Sequence, residues 1–136
     1  MKRNKQKTLR NKCDAAWARI TKKIIFAKYG VRCLWCGDSR RQFQSDHIVN
    51  RWKTATRWNL SNCIVLCAPC HLFRKKREPI EWAQTVLNFV PEEVVLDLRK
   101  QSEEIVKPDY QKILDGLIEF EIAFDKEYEN EPRRPA

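Results

Sequence analysis

Two CxxC pairs restrict this chain more than any other feature. Cys33-Leu34-Trp35-Cys36, followed by Gly37, and Cys67-Ala68-Pro69-Cys70 are separated by thirty residues. A tight CxxC knuckle turns two thiols to one side, so two knuckles supply four thiolates to one tetrahedral Zn²⁺. Gly37 eases the backbone after the first pair. Four thiolates saturate zinc, which makes such a site structural and leaves no position for a substrate. Iron–sulfur ligation is chemically open to the same residues. A disulfide framework fits less well, because the basic opening MKRNKQKTLRNK is not followed by the apolar stretch and cleavage site of an export signal. The other two cysteines lie in apolar surroundings and read as core residues, Cys13 on a helical stripe and Cys63 at the head of Ile64-Val65-Leu66.

The formal charge of +9 is unevenly distributed. Residues 1–77 carry a net +17 and residues 78–136 a net −8. A basic front half asks for a polyanion, whereas the acidic tail would be repelled by one. No apolar run approaches the roughly 18 residues of a membrane span. With 43% hydrophobic residues in 136, the chain has material for one modest core, which argues against disorder throughout.

The coarse pattern is α+β and mostly helical, in three segments. Residues 1–30 form a basic amphipathic helix, with Leu9, Cys13, Ala16, Trp17, Ile20, Ile24 and Ala27 recurring over 7–29 and Gly30 as its stop. Residues 31–77 hold the knuckles, both histidines, a strand at 63–66, an expected short strand at Asp46–Val49, and a helical pattern from Pro69. Residues 78–136 are an acidic helical region: 79–89, opened by Pro79; a helix after Pro91 using Val94, Val95, Leu98 and Ile105; and one from Tyr110 to Phe124. The end, beyond about residue 127, reads as loose. Packing against the core accounts for this tail without any role in a site.

Between and beside the knuckles stand Asp46-His47, Asn62 and His71, and these two histidines are the only ones in the chain. The order CxxCG, Asp46-His47-Ile48, Ser61-Asn62-Cys63-Ile64-Val65-Leu66-Cys67-Ala68-Pro69-Cys70-His71 resembles the zinc-ribbon HNH endonucleases, which have the ββα-metal fold. The resemblance covers residues 31–77. Thr8–Lys12, the Trp-containing basic helix, Ala55–Asn59 and the helical tail are more loosely similar to the phage lambda NinG recombination proteins.

The resemblance implies a metal-dependent DNA endonuclease. His47 would be the general base, a role suited to an imidazole that titrates near neutrality. Asp46 and His71 would hold one catalytic Mg²⁺ or Mn²⁺, and Asn62 would fix the base or its loop. Cys33, Cys36, Cys67 and Cys70 would hold structural Zn²⁺. The implied products carry 5′-phosphate and 3′-hydroxyl ends, and the looser likeness points to branched or recombination DNA. Many relatives have Lys three residues after the final His, where this chain has Arg74.

Arg51, Lys53, Arg57, Arg74, Lys75, Lys76 and Arg77, with Arg40 and Arg41, are the expected phosphate contacts. Trp52 and Trp58 are open between base stacking and packing, while Trp17, Trp35 and Trp82 read as packing. Duplex, nicked or branched DNA is the expected partner, with single-stranded DNA and RNA also left open. The tail has three outlets: packing away from DNA, meeting the basic helix, or forming the homodimer that paired cutting of two strands requires. The expected setting is cytoplasmic and DNA-associated, of bacterial or phage type. Two rival readings are a non-catalytic zinc-ribbon module that binds nucleic acid and an adaptor working through its acidic helices.

Overall fold

A computed structural model describes residues 2–130. It is mostly helical around one small hairpin. Helix α1 (Lys2–Tyr29) leads into the first knuckle, then strands β1 (Phe43–Asp46) and β2 (Ile64–Cys67). A π-type turn (Cys70–Arg74) runs directly into the short α2 (Lys75–Arg77). Helices α3 (Pro79–Phe89), α4 (Glu92–Ser102) and α5 (Tyr110–Asn130) complete the described chain.

The hairpin is antiparallel, with Phe43 opposite Cys67 and Asp46 opposite Ile64. Every residue of β2 is buried, which explains its unbroken apolar run. Its two faces serve two clusters, as period-2 alternation requires. Cys63 and Val65 pack with Cys13, Ala16, Trp17 and Ile20 of α1, with Trp58, and with Leu117 of α5. Ile64 and Leu66 pack with Leu34, the knuckle cysteines Cys33, Cys67 and Cys70, and Val86 of α3. Cys13 and Cys63 are both core residues, and burial pushes the Cys63 thiol up to about 12.

Gly30 ends α1 at φ 87°, its N–H bonding to the Phe26 carbonyl at 2.9 Å. The helix starts five residues earlier than the apolar stripe suggests, and its added turns at 2–6 are exposed. Pro79 occupies the first turn of α3, and Pro91 precedes α4. Ile105 lies beyond α4 and is fully exposed.

The acidic tail meets the basic helix. Glu121 of α5 bonds Arg19 at 2.8 Å and Lys23 at 2.9 Å, and Asp125 bonds Lys23 at 3.1 Å. At the other end the Cys13 thiol donates to the Tyr110 carbonyl at 3.3 Å, so α1 and α5 run side by side in the same direction. No helix among the described residues is long and apolar enough to cross a membrane.

One strand differs from its expected place. Asp46 ends β1 instead of beginning a strand to Val49. Ile48 and Val49 look strand-like in sequence, but both backbone polar groups of Val49 are taken by the Asn62 side chain, not by a ladder. That exchange bends the chain away just after His47.

Candidate active site and metal centre

The hairpin and the helical turn after it build two sites of different chemistry. At the knuckle end, the Sγ atoms of Cys33, Cys36, Cys67 and Cys70 all lie within 4.8 Å of one another. Cys36 and Cys67 Sγ are 3.6 Å apart. Gly37, at φ 79°, closes the first knuckle through its N–H to the Cys33 carbonyl at 3.0 Å. Burial opposes ionisation of Cys33, but backbone N–H groups of Cys36, Cys67 and Trp35 bring its thiol down to about 7. Burial and the neighbouring sulfurs push Cys70 and Cys67 up. Four crowded thiols of this kind cannot all ionise without a cation among them, so the donor set fits zinc.

At the other end lies a cleft of about 400 Å³ lined by Asp14, Trp17, Asp46, His47, Arg51 and His71, among others. Asp46 reaches it from the last position of β1 and His47 from the residue after. His71 arrives on the π-type turn immediately after the cluster cysteine Cys70, so the knuckle fixes its position.

His47 is held on two sides. Its Nε2 lies 2.9 Å from the Arg57 carbonyl, which can only accept, so the ring proton is on Nε2 and the lone pair on Nδ1. The ring stacks on the Trp17 indole at 3.9 Å between centroids and 7° between planes. The Trp17 N–H in turn donates to the Asn59 carbonyl at 2.9 Å. Burial lowers the His47 pKa, and the Arg51 and Arg57 charges lower it further against the opposing Arg57 carbonyl and Asp46. The imidazole is therefore neutral at pH 7.

Asn62 is fully buried and ties the loop that follows His47. Its Oδ1 accepts from Val49 N–H at 2.7 Å, and its Nδ2 donates to the carbonyls of Val49 at 3.0 Å and Thr56 at 3.1 Å. One side chain thereby fastens both ends of the loop between His47 and the Arg57 carbonyl that orients it.

Asp46 is buried and has three partners. Lys75 Nζ lies 2.9 Å from Oδ2, the Trp82 N–H donates to Oδ2 at 3.1 Å, and His71 Nδ1 stands 3.3 Å from Oδ1. Burial would raise the carboxyl, but His71 and Lys75 outweigh it and hold it below the usual carboxylate range. His71 Nδ1 is buried and, despite the short distance, lacks the alignment of a hydrogen bond. An unsatisfied ring nitrogen beside a carboxylate oxygen is a donor pair that fits a shared divalent cation.

The expected phosphate contacts separate. Arg51 lines the cleft, with its side chain 56% exposed and 3.7 Å from Asp14. Lys53 is exposed. Arg57 is not available to DNA: its side chain is 7% exposed, and its guanidinium grips Asp14 at 3.0 and 2.7 Å. A buried guanidinium cannot leave its only carboxylate without stranding its charge. Lys75 turns into the cleft, whereas Arg74 covers the Trp35 ring at 4.2 Å and bonds Glu78 at 3.0 Å. Lys76 and Arg77 are exposed, as are Arg40 and Arg41. Trp58 is buried and donates to Asp14 at 2.8 Å, while Trp52 is 79% exposed at the cleft rim.

Sequence reasoning missed the buttress made by α1 and the contribution of α3. Trp17 and Trp82 read as packing residues, yet one stacks on His47 and the other bonds Asp46. Asp14 gathers Arg57 and Trp58, and it carried a signal: it is the only acidic residue among the first 37.

Residues 31–77 match the family described as HNH endonuclease. No curated protein and no solved structure matches the chain. The matched segment contains the four-cysteine cluster and every residue of the cleft except those contributed by α1 and α3. This chain thus carries an HNH endonuclease domain with a four-cysteine centre of the zinc-ribbon kind, which supports a nuclease or nucleic-acid-binding role.

Proposed function

We propose that the cleft hydrolyses phosphodiester bonds in DNA, with His47 as general base. The observation that carries this reading is the double hold on His47. The Arg57 carbonyl fixes its tautomer and Trp17 fixes its plane, in a cleft shared with Asp46 and His71. Structural hydrogen bonding alone does not require a ring held so firmly with one nitrogen left over.

In this reading Nδ1 of His47 takes a proton from water as the water oxygen attacks phosphorus. The bond to the 3′ oxygen breaks, and that oxygen takes a proton from solvent. The products are a 5′-phosphate and a 3′-hydroxyl. Asp46 and His71 would hold one Mg²⁺ or Mn²⁺, which supplies charge stabilisation at the phosphate and the departing oxygen. Asn62 keeps the base loop shut, and Arg51 and Lys53 attract the backbone. The four cysteines would hold Zn²⁺ as a structural ion.

Lys75 adds a condition. Its ammonium sits on both oxygens of Asp46, at 3.0 and 2.9 Å, so an arriving divalent ion must share or displace it. A displaced Lys75 is free to meet the phosphate. The same ion pair favours the second reading, a cleft that binds nucleic acid without cutting.

The test is incubation of the purified protein with supercoiled plasmid, linear duplex, single strand and a four-way junction, each with Mg²⁺, Mn²⁺ or neither. The proposal expects metal-stimulated cutting that Asp46→Ala and His71→Ala abolish while zinc content is kept. Binding without cutting under every condition favours the second reading.

A further inference from the structure

The segment from Cys70 to Arg77 is a partition with two faces. His71 and Lys75, four residues apart, look into the cleft. Phe73, Lys76 and Arg77 line a groove of about 880 Å³ on its other side, with Arg41, Leu72, Pro69 and Arg74, and the groove opens onto Cys36, Cys67 and Cys70 of the thiol cluster. Phe73 is 64% exposed and Leu72 is 46% exposed. Exposed apolar side chains occur elsewhere on this surface, but these two are adjacent, line one groove and are ringed by cations.

The charges around them point to what covers them. Arg41, Lys76 and Arg77 rim the groove. Its one carboxylate, Asp38, is already engaged by Arg41 at 3.2 Å and by the Arg40 backbone N–H at 2.7 Å. Among the described residues, Lys76 and Arg77 have no ion-pair partner, unlike their neighbours Arg74 and Lys75. An apolar floor with an aromatic ring and a cationic rim matches the flat base faces and spaced phosphates of an unpaired strand. A duplex hides its base faces in the stack, so it would leave Phe73 uncovered.

We propose that this groove binds single-stranded DNA, with Phe73 stacking on a base and Lys76 and Arg77 holding flanking phosphates. The inference rests on the reading that nucleic acid is the partner, and it narrows the substrate to DNA with an unpaired segment beside the cut. The zinc knuckle would then set the spacing between strand groove and cleft, since Cys70 anchors the partition.

The test is equilibrium binding by full-length protein carrying His47→Ala, to oligo-dT and to a duplex of equal length across a salt series. Phe73→Ala is expected to weaken oligo-dT binding about tenfold, the effect of losing one stacked base, and to leave duplex affinity unchanged. Phe73→Trp restores single-strand binding. Lys76→Ala and Arg77→Ala each flatten the salt dependence on oligo-dT by about 0.7 in slope. Zinc content and circular dichroism check that each variant is folded.

An unchanged oligo-dT affinity in Phe73→Ala overturns the proposal, as does equal weakening on both substrates. Preferential binding of an acidic polypeptide at the groove, competing off oligo-dT, assigns the surface to a protein and also overturns it. The assay contains no cleavage step. Absence of cutting by wild type would defeat the endonuclease reading without touching this result, and the converse holds.

Discussion

The thiol cluster and the cleft share one hairpin but solve opposite problems. The cluster brings four like groups together and closes them around one position. The cleft brings together unlike groups, a carboxylate and two imidazoles, and leaves Nδ1 of both rings without a hydrogen-bond partner among the described residues. The cluster takes all its ligands from two knuckles. The cleft depends on distant supports: Trp17 from α1, Asn62 from the loop before β2, and Trp82 from α3. A closed site can be specified by spacing along the chain. An open one has to be held in shape from outside, which is why so much of the fold leans on it.

If that contrast is right, damage to the cluster should unfold the protein and damage to the cleft should not. Removing the metal with a strong chelator, or making Cys67→Ser, is the most severe change. Structural zinc contributes about 10 kcal/mol or more, as much as a small domain's whole stability. The expected result is loss of the cooperative melting transition by circular dichroism. A chelated protein that still melts normally would erase the distinction between the two sites.

Asn62→Ala lies between the two classes. It leaves the N–H and carbonyl of Val49 without a partner, while the Thr56 carbonyl keeps the Asn59 N–H at 3.1 Å. At roughly 1–3 kcal/mol for each of these two unsatisfied groups, a loss of about 2–6 kcal/mol is expected in urea unfolding. Zinc stoichiometry should remain that of wild type. Loss of zinc in this variant would show that the loop supports the cluster as well as the base.

A pH profile probes the cleft alone. The His47 pKa is lowered chiefly by burial, so the neutral base persists below pH 6.5 and the acidic limb of the cleavage rate should fall below that value. An acidic limb above 6.5 would mean that the Arg57 carbonyl and Asp46, which favour the charged ring, outweigh burial.

The smallest effect belongs to neither site. Glu121, between Arg19 and Lys23, has its carboxyl lowered to about 2, with the Arg19 bond as the main cause. A depressed carboxylate stabilises the fold above its unfolded pKa and loses that contribution as pH falls from about 4.5 toward 2. Because Arg19 is 50% exposed, solvent screening keeps the contribution to about 1 kcal/mol or less. Glu121→Gln should lower the melting temperature slightly at pH 7 and flatten its decline in that acid range.

The difference between the sites also decides what could be read from the sequence. The knuckles, the buried strand and the set Asp46, His47, Asn62 and His71 are legible because their spacing is local or their order is distinctive. Trp17 and Trp82 were not, because a tryptophan on an apolar helical face looks the same whether it touches a leucine or an imidazole. Arg57 looked like one more surface cation, and only the position of Asp14 on a helix 43 residues away buries it. The strand at Ile48–Val49 failed for a related reason: a side chain 13 residues on supplied the hydrogen bonds that a ladder would have made. Long-range polar partners leave little trace in local pattern.

The central claim is that His47 acts as a base and does not merely fill the cleft. Single-turnover cleavage by His47→Ala, compared with wild type at saturating Mg²⁺, tests it most directly. The account predicts a rate lower by about 10²–10⁴, the usual worth of a positioned general base, with unchanged zinc content and DNA affinity and a melting transition that stays cooperative at a somewhat lower temperature. Cleavage by His47→Ala at the wild-type rate would contradict it.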